Sequence, residues 1–199
     1  EFFNLWIQVL VDLPMNLYQS FQVWRLETKA TRPFIRGREF HWIETHDVFA
    51  TAKGAQDQVK QDMKTTEKIM HQEFGIPFIF FRRPQWDKFA GADNTFAADS
   101  LMPDGKAIQQ PSTHLLGQHF TKAFDVKFQN EKGENVFPYS ICYGPCIWRM
   151  LASVISLHGD DKGLVFPYKI APVQVAVVPI LKTGADNQKL VEYAKKLGK

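Results

Sequence analysis

The chain has 199 residues and only two cysteines, Cys142 and Cys146, too few to staple a fold by disulfides. No second ligand pair follows them at finger-like spacing, so a structural zinc site is excluded too. Reduced thiols and, weakly, a reducing compartment are expected. Apolar runs are short, and none approaches the roughly 20 residues of a membrane span. Charge of one sign is scarce: a formal net charge of +3 permits an anionic partner without the strong basicity of a dedicated nucleic-acid module. There is no glycine-rich phosphate loop, Walker pattern, HExxH or GxSxG. A nucleotide, if bound, must be held on an antiparallel sheet by arginines.

What the sequence does have is a hydrophobic content of 45% with 23% charged residues, a globular composition sized for one good core or one domain and part of another. The opening EFFNLWIQVLVDLP has no basic leader or cleavage site, so the chain is expected to begin inside a larger architecture. Apolar residues at Phe2, Leu5, Trp6, Val9 and Leu10 predict a helix ending at Leu13-Pro14. Asn16 to Glu27 reads as a strand, and after a loop broken by Pro33 and Gly37 a return strand runs to about Ala50.

Side chains two apart share a strand face. Arg25 therefore projects with Glu27, and Phe40, Trp42, Glu44 and His46 line one face. Such a face suits the wall of a polar pocket with aromatic shelves; spacing alone fits a solvated hairpin with a surface arginine cluster equally well.

Thr51 is placed to cap a long helix that Gly75 stops, with His71 on its solvated side. Ile76 to Phe81 reads as a short buried strand. A hairpin is expected around Pro103-Asp104-Gly105, with Pro111 forcing a bulge or an edge in its second arm. Leu115 to Phe124 predicts a short helix, and EKGEN the turn of a second hairpin. Pro145 opens a further helix ending at His158-Gly159. Arg149 lies near that helix's N-terminus, against the dipole, which points to anion binding. Val173 to Leu181 reads as a strand buried on both faces, and the amphipathic stretch from Asp186 as a helix. This βα unit predicts a second domain that cannot close a core alone.

WRLE, a loop, and RGREFHWIETH together resemble the second signature motif of class II aminoacyl-tRNA synthetases. With WDKFAGAD, PDGKAIQ, STHLLGQHFTKAF and HGDDKGLVFPYKIAPVQV, the chain is similar to prolyl-tRNA synthetases of the archaeal and eukaryotic type from Phe2 onward. The resemblance implies an α+β fold: an antiparallel sheet flanked by helices over residues 1–170, then the start of an α/β anticodon-binding domain over 171–199. It implies the activity as well, ATP-dependent formation of prolyl-adenylate and transfer to tRNA(Pro), in a cytoplasmic homodimer with magnesium and no membrane.

By match to the motifs, Arg25 bridges the α-phosphate and the proline carboxylate, and Glu27 accepts from the adenine amino group. Phe40 stacks on adenine, with Arg149 against its other face or at the γ-phosphate. Arg36, next to Gly37, reaches the β- or γ-phosphate. Gln109 and Ser112 lie near the ATP and its metal, the Gln109 carbonyl oxygen serving as a magnesium ligand. Trp42, Glu44, His46 and His114 form the prolyl pocket together with Arg25. Arg25 and Arg149 are the expected catalytic residues. Arg32, Arg38, His41 and His119 are expected at the surface or in structural roles, and Asp160-Asp161-Lys162 in a polar turn. The family's first motif and its threonine-x-glutamate stretch are missing. Ser112 stands where many relatives have threonine, and YGPCIWR is one residue longer than usual. Two alternatives remain open: a non-catalytic synthetase-like binding module, or a class II synthetase for threonine, serine or glycine.

Overall fold

A computed structural model describes residues 2–184 and 186–198. The N-terminal apolar stretch forms only a short helix, α1 (Phe2–Trp6), followed by one 3₁₀ turn at Leu10–Asp12. The helix stops early because Val9 pairs with Gln129 instead. Strand β1 (Met15–Trp24) and strand β2 (Glu39–Phe49) form the expected antiparallel pair. Arg25 lies one residue past β1, yet its N–H still donates to Arg38 O at 2.7 Å, which carries the pairing onward.

Helix α2 (Ala52–Glu67) is capped as its sequence predicts, Thr51 Oγ1 accepting from the Gly54 N–H at 3.1 Å. Its last turns widen into a π-helical segment, Lys68–Glu73, and Gly75 ends the run at φ 61°. His71 is not simply solvated. Its Nε2 accepts from the Phe78 N–H at 3.1 Å, and its ring stacks on Phe78 with centroids 4.4 Å apart.

Strand β3 (Ile79–Arg82) sits at a sheet edge with its side chains largely exposed, so the buried strand expected at Ile76 to Phe81 does not form. Ile76 alone from that run is fully buried. Strands β4 (Asn94–Leu101) and β5 (Ala107–Gly117) make the predicted hairpin. Its register slips between Asp99↔Gln109 and Ala97↔Ser112, leaving Gln110 and Pro111 opposite Ala98: the bulge that Pro111 requires.

Beyond β5 come α3 (His119–Ala123) and a two-stranded ribbon, β6 (Phe128–Gln129) with β7 (Asn135–Val136). Strand β8 (Tyr139–Gly144) then returns into the main sheet, and α4 (Ile147–His158) starts after an N-cap at Cys146, two residues later than Pro145 suggested. The sheet order is β1-β2-β8-β5-β4-β3, with every neighbouring pair antiparallel.

Alternation divides this sheet into two faces. Phe49 and Ile141 turn toward α2, where they pack with Ala55 and Val59. Met70, Ile76, Met150 and Val154 join the π-helical segment to α4. The His158 ring sits within 3.1 Å of the Phe74 and Gly75 carbonyls and donates there from Nε2. The opposite face, under the loops, holds the site.

At the C-terminal end the sequence reading fails. Val173 to Leu181 is irregular and mostly exposed, with Val175, Val178 and Ile180 among the most open large apolar side chains. A strand buried on both faces needs partners for its backbone and cover for its side chains. No described strand pairs with it. Helix α5 (Gln188–Leu197) does form.

Candidate active site

A cavity of about 630 Å³ opens on the sheet face away from α2. Its floor follows from strand alternation, with Phe40, Trp42 and Glu44 from β2, Cys142 and Gly144 from β8, and Ser112 and His114 from β5. The loop through Phe34 to Gly37 and the first turn of α4 close one side, and the segment from Arg83 to Phe89 closes the other. Arg25, Glu27, Arg36, Gly37, Gln109 and Arg149 also line it. Residues far apart in sequence thus converge on one space.

Arg25 lies over two rings, its guanidinium carbon 4.9 Å from the Phe40 centroid and 5.6 Å from the Trp42 ring. Arg36 Nε donates to Glu27 Oε2 at 2.9 Å. The loop carrying Arg36 is closed by reciprocal backbone bonds between Arg32 and Arg36, at 3.0 and 2.9 Å, and Phe34 at its tip meets Trp148 edge-on at 5.7 Å.

Arg149 ties three pieces of the wall together. From α4 its Nη1 donates to the Gln109 backbone oxygen at 3.0 Å and its Nη2 to the Ile35 oxygen at 3.5 Å. Its Nε is buried with no partner among the described residues. Burial, and then the neighbouring Arg25 and Arg36, pull its pKa below the ordinary guanidinium value. A buried cation with a spare donor, beside two more arginines, is a strong seat for an anion.

The other end of the cavity is partly apolar and carries few charges. Trp42 presents its indole, the Phe89 ring lies 4.8 Å from the His114 ring, and burial pushes His114 down to about 4, so that ring is uncharged near neutrality. Glu44 is the carboxylate there, with His46 Nε2 at 3.2 Å from its Oε2. The hydrogen bond to Glu44 raises the pKa of His46, and burial opposes it.

Of the residues expected from the sequence, His46 is the one that the cavity leaves out. It lies on the correct face, but its row of the sheet (His46, Cys142, His114, Thr95) runs past the rim on the β2 side, and it reaches the site only through Glu44. At Gln109 the backbone oxygen accepts from Arg149 Nη1, while the side chain is exposed at the cavity. Among the described residues no group of three or more His, Cys, Asp or Glu could hold a metal. His119 pairs with Asp93 at 2.9 Å, outside the cavity. Asp160 Oδ1 accepts from the N–H groups of Lys162 and Gly163, the polar turn expected there.

Sequence reasoning missed Phe89, Thr95, Gln110 and Cys146. Phe89 lies in a segment without periodicity, and Thr95 on a strand whose pairing could not be known. Gln110 adjoins Pro111, where a bulge or an edge is expected, and the bulge turns its amide back onto Ser153 Oγ at 2.6 Å. The helix start at Pro145 hid Cys146 inside a predicted helix, although it caps α4 at the cavity wall.

An antiparallel sheet flanked by α2 and α4, with arginines gathered over a cavity, fits the core domain of the class II tRNA synthetases. Residues 2–158 match the family described as "tRNA synthetase class II core domain (G, H, P, S and T)", and the chain belongs to that family. Within it the similarity is to proline–tRNA ligases: 52% identity with that of Thermofilum pendens over 98% of this chain, and 41% with that of Methanocaldococcus jannaschii, also over 98%. Among solved structures, prolyl-tRNA synthetase of Giardia lamblia in complex with prolyl-adenylate aligns over 99% of this chain with a TM-score of 0.89 and 39% identity. The Cryptosporidium parvum enzyme with L-proline and AMP aligns over 98% with a TM-score of 0.91 and 34% identity. The chain spans about two fifths of these relatives' length, from 39% to 42%. No described helix is long and apolar enough to cross a membrane.

Proposed function

We propose that the chain carries the adenylation site of a prolyl-tRNA synthetase, which activates proline with ATP and passes it to tRNA(Pro). The observation that carries the reading is the meeting of Arg25, Arg36 and Arg149 in one cavity that ends on Trp42, Glu44 and His114. In the reaction a proline carboxylate oxygen bonds to the α-phosphorus, the bond from that phosphorus to the bridging oxygen breaks, and pyrophosphate leaves with the electron pair. Both reactants are anionic, so holding them together requires cations fixed beforehand.

Arg25, at the junction of the two ends, suits the α-phosphate and the carboxylate together. Arg36 and Arg149 suit the β- and γ-phosphates, or one face of adenine. Glu27, released from Arg36, suits the adenine amino group, with Phe40 as its shelf and Gly37 beside it in the cavity wall. Trp42 and His114 suit the proline ring, and Glu44, steadied by His46, its charged imino group. No residue need act as a strong base, because the nucleophile is already ionised. Magnesium, when carried in on the phosphates, would spread their charge, and Gln109 and Ser112, which line the cavity, would be the residues to hold it. Cytoplasmic location, a homodimer and an anticodon-binding domain from about residue 171 belong to the same proposal.

Non-catalytic synthetase-like modules usually lose the motif arginines, and the retention of Arg25, Arg36 and Arg149 favours the enzyme. Amino-acid-dependent exchange of pyrophosphate into ATP, in a version extended to the length of the matched ligases, tests the reading. Exchange with proline supports it, and exchange with threonine, serine or glycine instead overturns it.

A further inference from the structure

Both ring nitrogens of His114 are engaged by hydroxyls. Nδ1 lies 2.9 Å from Thr95 Oγ1, and Nε2 lies 3.1 Å from Ser112 Oγ. A neutral imidazole donates at one nitrogen and accepts at the other, so its tautomer depends on what each hydroxyl has left to give. The backbone N–H of Phe89 donates to Thr95 Oγ1 at 2.9 Å, and that oxygen therefore already accepts once. With the His114 proton on Nδ1, Thr95 would accept twice and its own hydrogen would be left to the cavity that Thr95 also lines. An oxygen that already accepts one hydrogen bond is polarised toward donating its own hydrogen rather than accepting a second. With the proton on Nε2, Thr95 accepts from Phe89 and donates to Nδ1, a continuous chain of donors, and the one free hydroxyl hydrogen is that of Ser112. Ser112 Oγ then accepts from Nε2–H, and its own hydrogen is left to face the cavity that Ser112 lines.

We propose that Thr95, oriented by the Phe89 N–H, is a positioning residue that holds His114 as its Nε2–H tautomer, so that Ser112 presents its hydroxyl hydrogen to an anionic oxygen of the bound substrate. The oxygen is that of a carboxylate or a phosphate, and the inference rests on the reading of this cavity as the adenylation site. The burial that keeps His114 uncharged is consistent with it, since a cationic ring would donate to both hydroxyls and remove the distinction. Strand pairing fixes the arrangement, because Thr95, His114 and Cys142 are direct neighbours across β4, β5 and β8.

Nitrogen-15 NMR of histidine-labelled chain at neutral pH reads the tautomer without any turnover. A pyridine-type Nδ1 and a pyrrole-type Nε2 for His114 are expected, and the reverse pattern or a cationic ring overturns the proposal even if proline activation is demonstrated. In the extended version, Thr95→Val is expected to raise one KM by up to about tenfold, the loss of one hydrogen bond, with kcat little changed and Thr95→Ser restoring it. A rise in the KM for proline assigns the acceptor to the carboxylate, and a rise in that for ATP assigns it to the phosphate. If Thr95→Val does not fold, Ser112→Ala provides the same reading. Unchanged KM values for both substrates in whichever variant is used overturn the proposal.

Discussion

A Cβ built on Gly144 would lie 2.4 Å from Trp42 Nε1 and 2.9 Å from Cε2 of the same indole. The backbone of β8 thus approaches the face of Trp42 too closely for any side chain, and the indole is seated by the absence of one. Gly144→Ala must displace the Trp42 indole or the strand, an overpacking cost of about 1–3 kcal/mol to the fold. The expected outcome is a lower melting temperature together with a raised KM for proline. Steady-state exchange kinetics check it, and an unchanged KM would mean that Trp42 does not shape the amino-acid end.

Arg25 makes no salt bridge among the described residues and rests on the Phe40 and Trp42 rings. Its removal should therefore leave the fold intact. Arg25→Ala is expected to abolish exchange, a loss of at least about 10²–10³ for one preorganised charge donor, with an unaltered circular dichroism spectrum. Near-normal turnover in that variant removes Arg25 from the mechanism.

The Arg36–Glu27 pair joins a half-exposed cation to a mostly covered carboxylate. An ion pair of that exposure contributes about 0–1 kcal/mol. Arg36→Ala should accordingly shift the melting temperature little while raising the KM for ATP. A large loss of stability with unchanged ATP kinetics would show the pair to be structural.

Asp47 faces α2 at 3% exposure, and burial, then the Asp62 carboxylate, push its pKa from the ordinary 3.8 up to about 6. Between about pH 4 and 6 the folded chain keeps a proton that the unfolded chain has lost, so this group's effect on stability becomes more unfavourable as pH rises through that window. Asp62 is raised by burial as well and acts with the same sign. Asp47→Asn is expected to stabilise the chain at pH 7 by on the order of 2–3 kcal/mol and to flatten the profile between pH 4 and 6. Chemical denaturation at a series of pH values measures this, and lower stability of the variant at pH 7 would contradict it.

The reach of the sequence can be judged residue by residue. Period-2 alternation put Phe40, Trp42 and Glu44 on one face, and the register of β2 bears that out because nothing interrupts the strand. At Gln109 and Gln110 the Pro111 bulge inserts a residue: a bulge or an edge could be foreseen there, but not which amide it would turn inward. His46 shares the face of Glu44 yet lies past the cavity rim, a distance that periodicity does not encode. Val173 to Leu181 has the composition of a core strand, but composition cannot supply the partners that make one. The π-helical widening after Glu67 carries no signal in residue pattern at all. Thr95 acquires meaning only through its cross-strand neighbour His114, a contact between residues on two strands whose register was not legible.

The measurement that bears most directly on the account is pyrophosphate exchange with each amino acid in turn, on a version extended to the length of the matched ligases. The account predicts exchange with proline that depends on Arg25 and Arg149, and far weaker exchange with threonine, serine and glycine. Exchange driven by one of those three and not by proline, or no exchange with any amino acid, would contradict it.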